Sequence, residues 1–270
     1  MSMDTIPLPA LFGVIIAVVL VACEAGYRLG GVAAKRSTHE KESPVSAISG
    51  SILGLTAFMM AFTFGIVSDR YDARKGLVRE EANAIRTAWL RSDFLPEQDR
   101  GGAETLFRKY TQLRLDIARA LDLDVTRRAI AESGAIQRRL WTMAVDNARK
   151  DMNSDVAALY IESLNEMTNL QAMRVAVGLQ ARIPTGIWLG LWALVVLGML
   201  GMGYQMAIAG SLRSWSIPIL AIAFSLVIGL IAALDRPNSR YIPVSHQPFA
   251  DLLASMSVGQ DSPPPGREMR

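Results

Sequence analysis

The sequence predicts an all-α, multi-pass membrane protein with four transmembrane helices and a helical cytoplasmic domain inserted between spans 2 and 3. The first observation is four uncharged runs, each long enough to cross a bilayer as a helix, at residues 5–23, 43–68, 183–212 and 214–234. The second is that most charged residues fall within residues 69–182. The third is that apolar residues in this charged region recur at helical spacing, without the alternation typical of strands.

The composition argues against several classes of function. The net charge of +3 is small and evenly mixed, so the chain has no basic stripe suited to nucleic acid. One cysteine excludes an internal disulfide framework, and the 2 histidines stand far apart without ligands at metal spacing. We find no phosphate-binding glycine loop and no nucleophile with a nearby base. The sequence therefore predicts no enzyme activity, no catalytic residue, no cofactor, no metal and no nucleic-acid partner.

The first predicted span runs from Leu8 to about Ala22. Cys23 follows a small-residue pattern that fits a cleaved, lipid-modified signal, but no positive residue precedes the span. Cys23 is therefore interpreted either as a lipid-modified residue or as a small buried one. Glu24 lies either at membrane depth with a functional role or at the headgroups, where Arg28, four residues on, can pair with it along one helix face.

A short charged connection, residues 28–42, leads to a second span that is rich in phenylalanine. Its stripe of large apolar residues gives the candidate pore-neck residues Leu55, Phe58, Met59, Phe62 and Ile66. Small residues between them allow close helix contact. In an assembly, such a stripe can surround a narrow pore that is gated by dewetting. The alternative is an ordinary stripe that faces lipid or the core of a helix bundle.

The second span is predicted to continue into water as one long helix, because no proline interrupts residues 45–95. Charged residues crowd the helix after residue 68. Glu80 and Glu81 are interpreted as part of a solvated, ion-pair-laced helix face beside neighbouring arginines. The alternative is that these two carboxylates bind a cation or stabilise contacts between subunits.

The soluble domain, residues 69–182, is predicted to add three more helices. Breaks are expected at Leu95-Pro96, at Gly101-Gly102 and near residues 122–124. The last of these helices is expected to run straight into the third span.

The third and fourth spans lie within residues 183–234, which are rich in glycine in their first half. The Gly201–Tyr204 segment has a superficial likeness to a potassium filter, but it lacks the flanking residues of a filter, so we interpret it as small-residue helix packing. Residues 235–258 are expected to dock as a short helix through Phe249, Leu252, Leu253 and Met256. Residues 259–270, with three consecutive prolines, are expected to be disordered.

Four spans place both termini and the large domain on one side of the membrane. Positive residues flank the spans on both sides, so they do not decide the orientation. We expect the domain to be cytoplasmic and the protein to lie in the cell membrane, the inner membrane of a bacterium.

Several segments resemble the bestrophin-like family of membrane proteins, which is distantly similar to bestrophin ion channels. The matching segments are Glu24-x-Gly26-Tyr27-Arg28, Phe62-Thr63-Phe64-Gly65, Arg70-Tyr71-x-x-Arg74, Glu81-Ala82-Asn83-Ala84-Ile85, Arg91 with Leu95-Pro96, Leu164-Asn165-Glu166 with Arg174, and Leu234-Asp235-Arg236-Pro237. The resemblance covers residues 24–253. It departs from the family pattern at residues 238–240, where Asn-Ser-Arg replaces Phe-Ser-Gly, and an acidic cluster like the calcium clasp of animal bestrophins is missing.

The resemblance implies a homo-oligomer, with five subunits placing their second spans around an axis and small inorganic ions passing between them. The neck would then be formed by Phe58, Phe62 and Ile66. Residues implied at the pore mouth or in structural ion pairs are Glu24, Arg28, Asp69, Arg70, Arg74, Glu81, Asn83, Asp235 and Arg236. The competing hypothesis is a non-conducting, membrane-anchored helical scaffold or sensor that binds a protein partner.

Overall fold

The computed structural model describes residues 7–36, 42–119, 123–180, 182–211, 216–236 and 241–258, and it is all-helical over these ranges, as predicted. The helices are α1 Leu8–Arg36, α2 Glu42–Arg91, α3 Glu97–Arg119, α4 Leu123–Ala148, α5 Asp155–Val175, α6 Thr185–Ile208, α7 Ser216–Asp235 and α8 Gln247–Val258. A 3₁₀ turn at Ser92–Phe94 follows α2, and a π-helical turn at Ala176–Gln180 follows α5. The predicted disordered tail, residues 259–270, lies outside the described residues.

Four of these helices, α1, α2, α6 and α7, are long and apolar enough to cross a membrane, which confirms the predicted number of spans. The chain divides into two compact units. The first unit comprises residues 1–71 and 182–242, and the second comprises residues 72–181 and 243–270. Helix α2 contributes its first part to one unit and its second part to the other.

The core of the first unit is built where α1 packs along α6 and α7. Its most buried side chains come from one face of each of these helices: Leu11, Ile15, Val19, Leu191, Val195, Met199, Ala221, Ile228 and Ile231. Where α1 meets α6, the two backbones touch. A Cβ added to Gly26 would overlap the Leu200 carbonyl oxygen, and a Cβ added to Gly203 would overlap the Cys23 carbonyl oxygen. Only glycine permits this approach.

This contact corrects the prediction for residues 28–42. The connection was expected to begin near Arg28, but α1 continues to Arg36. The reason is that Gly30 also faces α6, where an added Cβ would lie 2.6 Å from the Tyr204 carbonyl oxygen, so a segment with loop-like composition is held as helix by its partner. The same contact explains the Gly201–Tyr204 segment, which lies inside α6 as a packing surface.

The second unit has its own core, formed by the C-terminal part of α2 with α3, α4, α5 and α8. Fully buried large side chains in it are Ile85, Phe107, Tyr110, Leu140, Met167 and Phe249. Helix α8 packs on α3 through its apolar side chains, since Phe249, Leu252 and Met256 are all buried in this core. Leu253 is only half-buried.

Two expected details of the second unit are wrong. Gly101 and Gly102 lie within α3 and do not break it, because a glycine inside a helix costs only about 0.5–1 kcal/mol and the packing of this helix outweighs that cost. The last helix does not run straight into the third span. Helix α5 ends at Val175 in the π-helical turn, and α6 begins anew at Thr185 after Pro184, whose ring cannot continue a helix from the residues before it.

Candidate functional site

Three of the five candidate pore-neck residues lie on the exposed face of the apolar part of α2. Leu55 is 51% exposed, Phe58 is 65% exposed and Phe62 is 55% exposed, whereas Met59 and Ile66 are half-buried. The Phe58 and Phe62 rings are nearly parallel, at 14°, with centroids 6.5 Å apart. The stripe predicted from the sequence therefore divides into three side chains that point away from the unit and two that flank its packed side.

The opposite face of this helix is packed against α6. Ser49, Thr56, Thr63 and Val67 are buried on this face, where Ser49 lies beside Gly201 of α6. Thr56 Oγ1 lies 2.7 Å from the Ile52 carbonyl oxygen of its own helix and 3.2 Å from the Leu194 carbonyl oxygen of α6. This packing fixes the rotation of α2 about its axis, and it is the reason that the phenylalanines face outward.

The exposed face also carries small residues. An added Cβ would meet nothing within 4 Å at Gly50, Gly54 or Gly65. Together with Ala57 and Ala61, these residues leave a shallow surface on either side of the two rings. Such a surface allows another helix to approach closely.

The predicted pair at the end of the first span is present. Arg28 Nε donates to Glu24 Oε1 at 2.8 Å, as the four-residue spacing led us to expect. The side chains are 77% and 35% exposed, so in water the pair would add little to stability. Its position after the apolar run is consistent with the headgroup interpretation of Glu24.

Asp235, at the C-terminal end of α7, contacts two other segments of the first unit. Its carboxylate accepts the Ile183 backbone N–H at 3.1 Å, and its carbonyl oxygen accepts from Arg182 Nη1 at 2.6 Å. Arg70 Nη1 lies 3.7 Å from the same carboxylate. Residues of α2, α7 and the segment before α6 therefore meet at Asp235, which gives this aspartate a structural role.

The other implied pore-mouth residues are less constrained. Asp69 and Asn83 are exposed, while Arg74 and Arg236 are half-buried and engaged in interactions within the protein.

Glu81 forms structural ion pairs, but it does not lie on the solvated helix face that the sequence predicted. It was interpreted as part of a solvated helix face, but its side chain is 0% exposed. Arg114 Nη2 donates to Glu81 Oε2 at 3.2 Å, and Arg174 Nη1 donates to the same oxygen at 2.7 Å. Arg114 Nε lies 2.7 Å from Oε1, off the line of its N–H bond. We call this cluster the Glu81 triad. One carboxylate is thus shared by two guanidiniums, from α3 and α5, so the positive charges outnumber the negative charge within the triad.

Polar and aromatic groups surround the triad. Arg174 Nη2 donates to His246 Nδ1 at 3.2 Å, and its guanidinium carbon lies 4.9 Å from the centre of the Phe249 ring. The pKa of His246 is lowered to about 4, first by burial and then by the positive charges of Arg174 and Arg114. Burial also lowers the pKa of Arg174, which Glu81 opposes. The segment at the start of α8 is therefore attached to the triad through one neutral imidazole.

A second polar layer is formed around Tyr110. Its hydroxyl donates to Gln171 Oε1 at 3.2 Å and accepts from Gln137 Nε2 at 3.1 Å. Burial, followed by the charge of Glu81, raises the pKa of Tyr110, so this phenol stays protonated. Helices α3, α4 and α5 are thereby linked around the triad.

The burial of Glu81 could have been predicted from its position in the helical pattern, although its residue type suggested a solvated surface. Glu81 is surrounded along α2 by buried Val78, Ala82, Ala84 and Ile85, so helical spacing places it on the apolar face of α2. Arg114 likewise stands next to Leu115. An acid on an apolar face requires a buried cation, and that requirement was the available signal.

Within the described ranges, the structure has no group of three His, Cys, Asp or Glu side chains arranged to hold a metal ion. The polar clusters that it does contain are ion pairs and hydrogen bonds between helices.

Both the sequence and the fold of the chain are similar to those of known proteins. Residues 13–249 match the model of the Bestrophin-like domain. A point mutant of a bacterial bestrophin homologue from Klebsiella pneumoniae has a TM-score of 0.55 and 16% identity, covering 90% of this chain and 98% of that chain. The variant of another membrane protein has a TM-score of 0.58 and 14% identity, covering 91% of this chain and 96% of that one. None of the curated proteins matched the chain. Because the domain model matches most of its length, the chain belongs to the Bestrophin-like family.

Proposed function

We propose that the protein is an oligomeric ion channel in which copies of α2 surround a pore with a hydrophobic neck. The observation that carries this proposal is the exposed face of α2, where Leu55, Phe58 and Phe62 point away from a helix whose opposite face is packed. Membership of the Bestrophin-like family and a fold shared with a bacterial bestrophin homologue support it.

Exposure of phenylalanine alone does not separate a pore from a lipid-facing surface, because lipid is as apolar as a phenylalanine ring. The small residues beside the rings favour the pore. Gly50, Gly54 and Gly65 offer open space on the same face, and such surfaces let helices of neighbouring copies approach closely. Rings of Phe58 and Phe62 from several copies would then meet near the axis, forming a dry constriction that hydrated ions cross only when it widens.

The remaining features follow from this arrangement. The assembly is a homo-oligomer, and the family resemblance suggests five copies. The helices of the second unit lie in the cytoplasm, and the four apolar helices cross the inner membrane of a bacterium. The permeating species are small inorganic ions, and the protein performs no catalysis. Asp69, which is exposed on α2 just beyond the apolar stretch, lies at the mouth of the pore.

The test is conductance of the purified protein reconstituted into planar lipid bilayers. The double variant Phe58→Ala with Phe62→Ala is expected to conduct more than wild type, because a wider and less apolar constriction stays wet. A matched control is Leu226→Ala on α7, which removes another exposed apolar side chain and should leave the current unchanged. Absence of current from wild type and double variant alike, with insertion verified, would contradict the proposal.

The alternative is a non-conducting anchor for a helical module that binds a protein partner. The observation that favours it is the second unit, which has its own apolar core and its own buried polar cluster. A protein that is monomeric in mild detergent and in lipid would support this alternative, because the four membrane helices of one copy are packed together around a core and not around a channel.

A further inference from the structure

A groove runs between α2 and α8 within the second unit. It has a volume of about 450 Å³, which is within the range of small-molecule sites. One wall consists of Arg79, Ala82, Asn83 and Arg86 from α2, and the other consists of Pro248, Asp251, Leu252 and Ser255 from α8. Its α2 residues follow Phe58 and Phe62 by more than four turns of the same helix. Anion binding in this groove does not require the protein to conduct ions.

The α2 wall presents two cations, the guanidiniums of Arg79 and Arg86. Arg79 and Arg86 are seven residues apart, with Asn83 between them, so all three side chains leave the same face of the helix. Within the part of the chain that the structure describes, neither arginine forms a salt bridge or a side-chain hydrogen bond. Both side chains are exposed to solvent.

The α8 wall supplies one opposing charge, the Asp251 carboxylate, so the two arginines leave the lining of the groove with a net positive charge. The Asp251 carboxylate accepts from Gln247 Nε2 at 2.8 Å, which turns part of its hydrogen-bonding capacity along its own helix. The Ser255 hydroxyl donates its hydrogen to the Leu252 carbonyl oxygen at 2.7 Å, so this hydrogen does not point into the groove. Pro248, Leu252 and Ala82 provide an apolar floor.

We infer that this groove binds a small anion of the phosphate class, held by the guanidiniums of Arg79 and Arg86 and the side-chain amide of Asn83. Guanidinium groups match the paired oxygens of phosphate, and two of them on one helix face suit a dianion. The apolar floor accommodates the carbon part of an organic phosphate.

The same chemistry has two sources, a soluble phosphate compound and the headgroup of an anionic lipid. The experiment therefore uses the full-length protein in nanodiscs and has two arms. In the first arm, pyrophosphate is titrated calorimetrically into protein in nanodiscs of neutral lipid. In the second arm, the melting temperature is compared between nanodiscs of neutral lipid and nanodiscs that contain phosphatidic acid, without soluble phosphate.

Saturable binding of pyrophosphate identifies a soluble ligand, and a rise in melting temperature confined to phosphatidic acid identifies a lipid. Either result supports the inference if Arg79→Gln and Arg86→Gln each weaken binding by about tenfold or more, or abolish the rise. The matched control is Arg149→Gln, which removes one exposed positive charge outside the groove and should change the affinity less than about twofold. Raising the salt concentration should weaken binding of the wild type.

Three results would overturn the inference. The first is no saturable binding of pyrophosphate together with no shift in phosphatidic acid. The second is binding that Arg149→Gln weakens as much as Arg79→Gln does, which indicates attraction by overall charge. The third is a change in subunit number in the Arg79→Gln and Arg86→Gln variants without any anion binding, which indicates that the arginines contact another copy of the chain.

Discussion

Replacing Glu81 by glutamine removes the carboxylate that pairs with both Arg114 and Arg174. The glutamine keeps the shape of the side chain but leaves two guanidiniums, 2% and 13% exposed, facing each other without a counterion. Breaking a buried ion pair by removing one partner typically costs about 3–5 kcal/mol. We expect Glu81→Gln to lower the free energy of unfolding of the second unit by that amount.

The matched control is Glu80→Gln, because Glu80 is the next residue on the same helix and is exposed. Its effect should remain within about 0.5 kcal/mol. The assay is native-state hydrogen exchange of the backbone amides of α3 and α5, which reports the free energy of opening for each helix. Adding Arg114→Met to Glu81→Gln should recover part of the loss, since one uncompensated cation is then removed. Equal effects of Glu81→Gln and Glu80→Gln would refute the reasoning about the triad.

Two further predictions concern packing and pH. Gly203→Val should destabilise the first unit by at least about 1–3 kcal/mol, because the new side chain overlaps the Cys23 carbonyl oxygen. Gly190→Ala on the same helix meets open space and should be tolerated. Thermal unfolding of both variants in detergent measures the difference. The pKa of His246 is lowered to about 4, below the value near 6.5 of an unfolded histidine, so the unfolded chain binds the extra proton between these pH values. The free energy of unfolding should therefore be constant above about pH 6.5 and fall by about 1–2 kcal/mol toward pH 4. This fall is smaller than the full pKa difference would give, because solvent screens the partly exposed ring. Denaturation at several pH values should show this fall, and His246→Asn should flatten it; an unchanged slope in that variant would assign the fall to other groups.

The membrane helices were predictable because apolar length is a local property of the sequence. Each uncharged run corresponds to a helix, and even the passage of α2 from apolar to charged sequence could be inferred from the absence of proline. The i, i+4 pair of Glu24 and Arg28 was predictable for the same reason, since both partners stand on one helix.

Partners distant in sequence were not predictable from residue types. Glu81 was assigned to a solvated face because charged residues surround it in sequence, but its cations come from Arg114 and Arg174, 33 and 93 residues away. The extension of α1 beyond Arg28 depends on contact with α6, so glycines that weaken an isolated helix became its packing surface. In both cases tertiary contacts decided the structure against the local signal.

The central claim is that Phe58 and Phe62 face the axis of an oligomer. Imaging the protein in lipid nanodiscs by electron cryomicroscopy, at a resolution that shows aromatic side chains, tests it most directly. We expect a closed ring of subunits, with the α2 helices innermost and the Phe58 and Phe62 side chains lining a central opening. A single copy, or a ring in which these side chains point outward into lipid, would contradict the account.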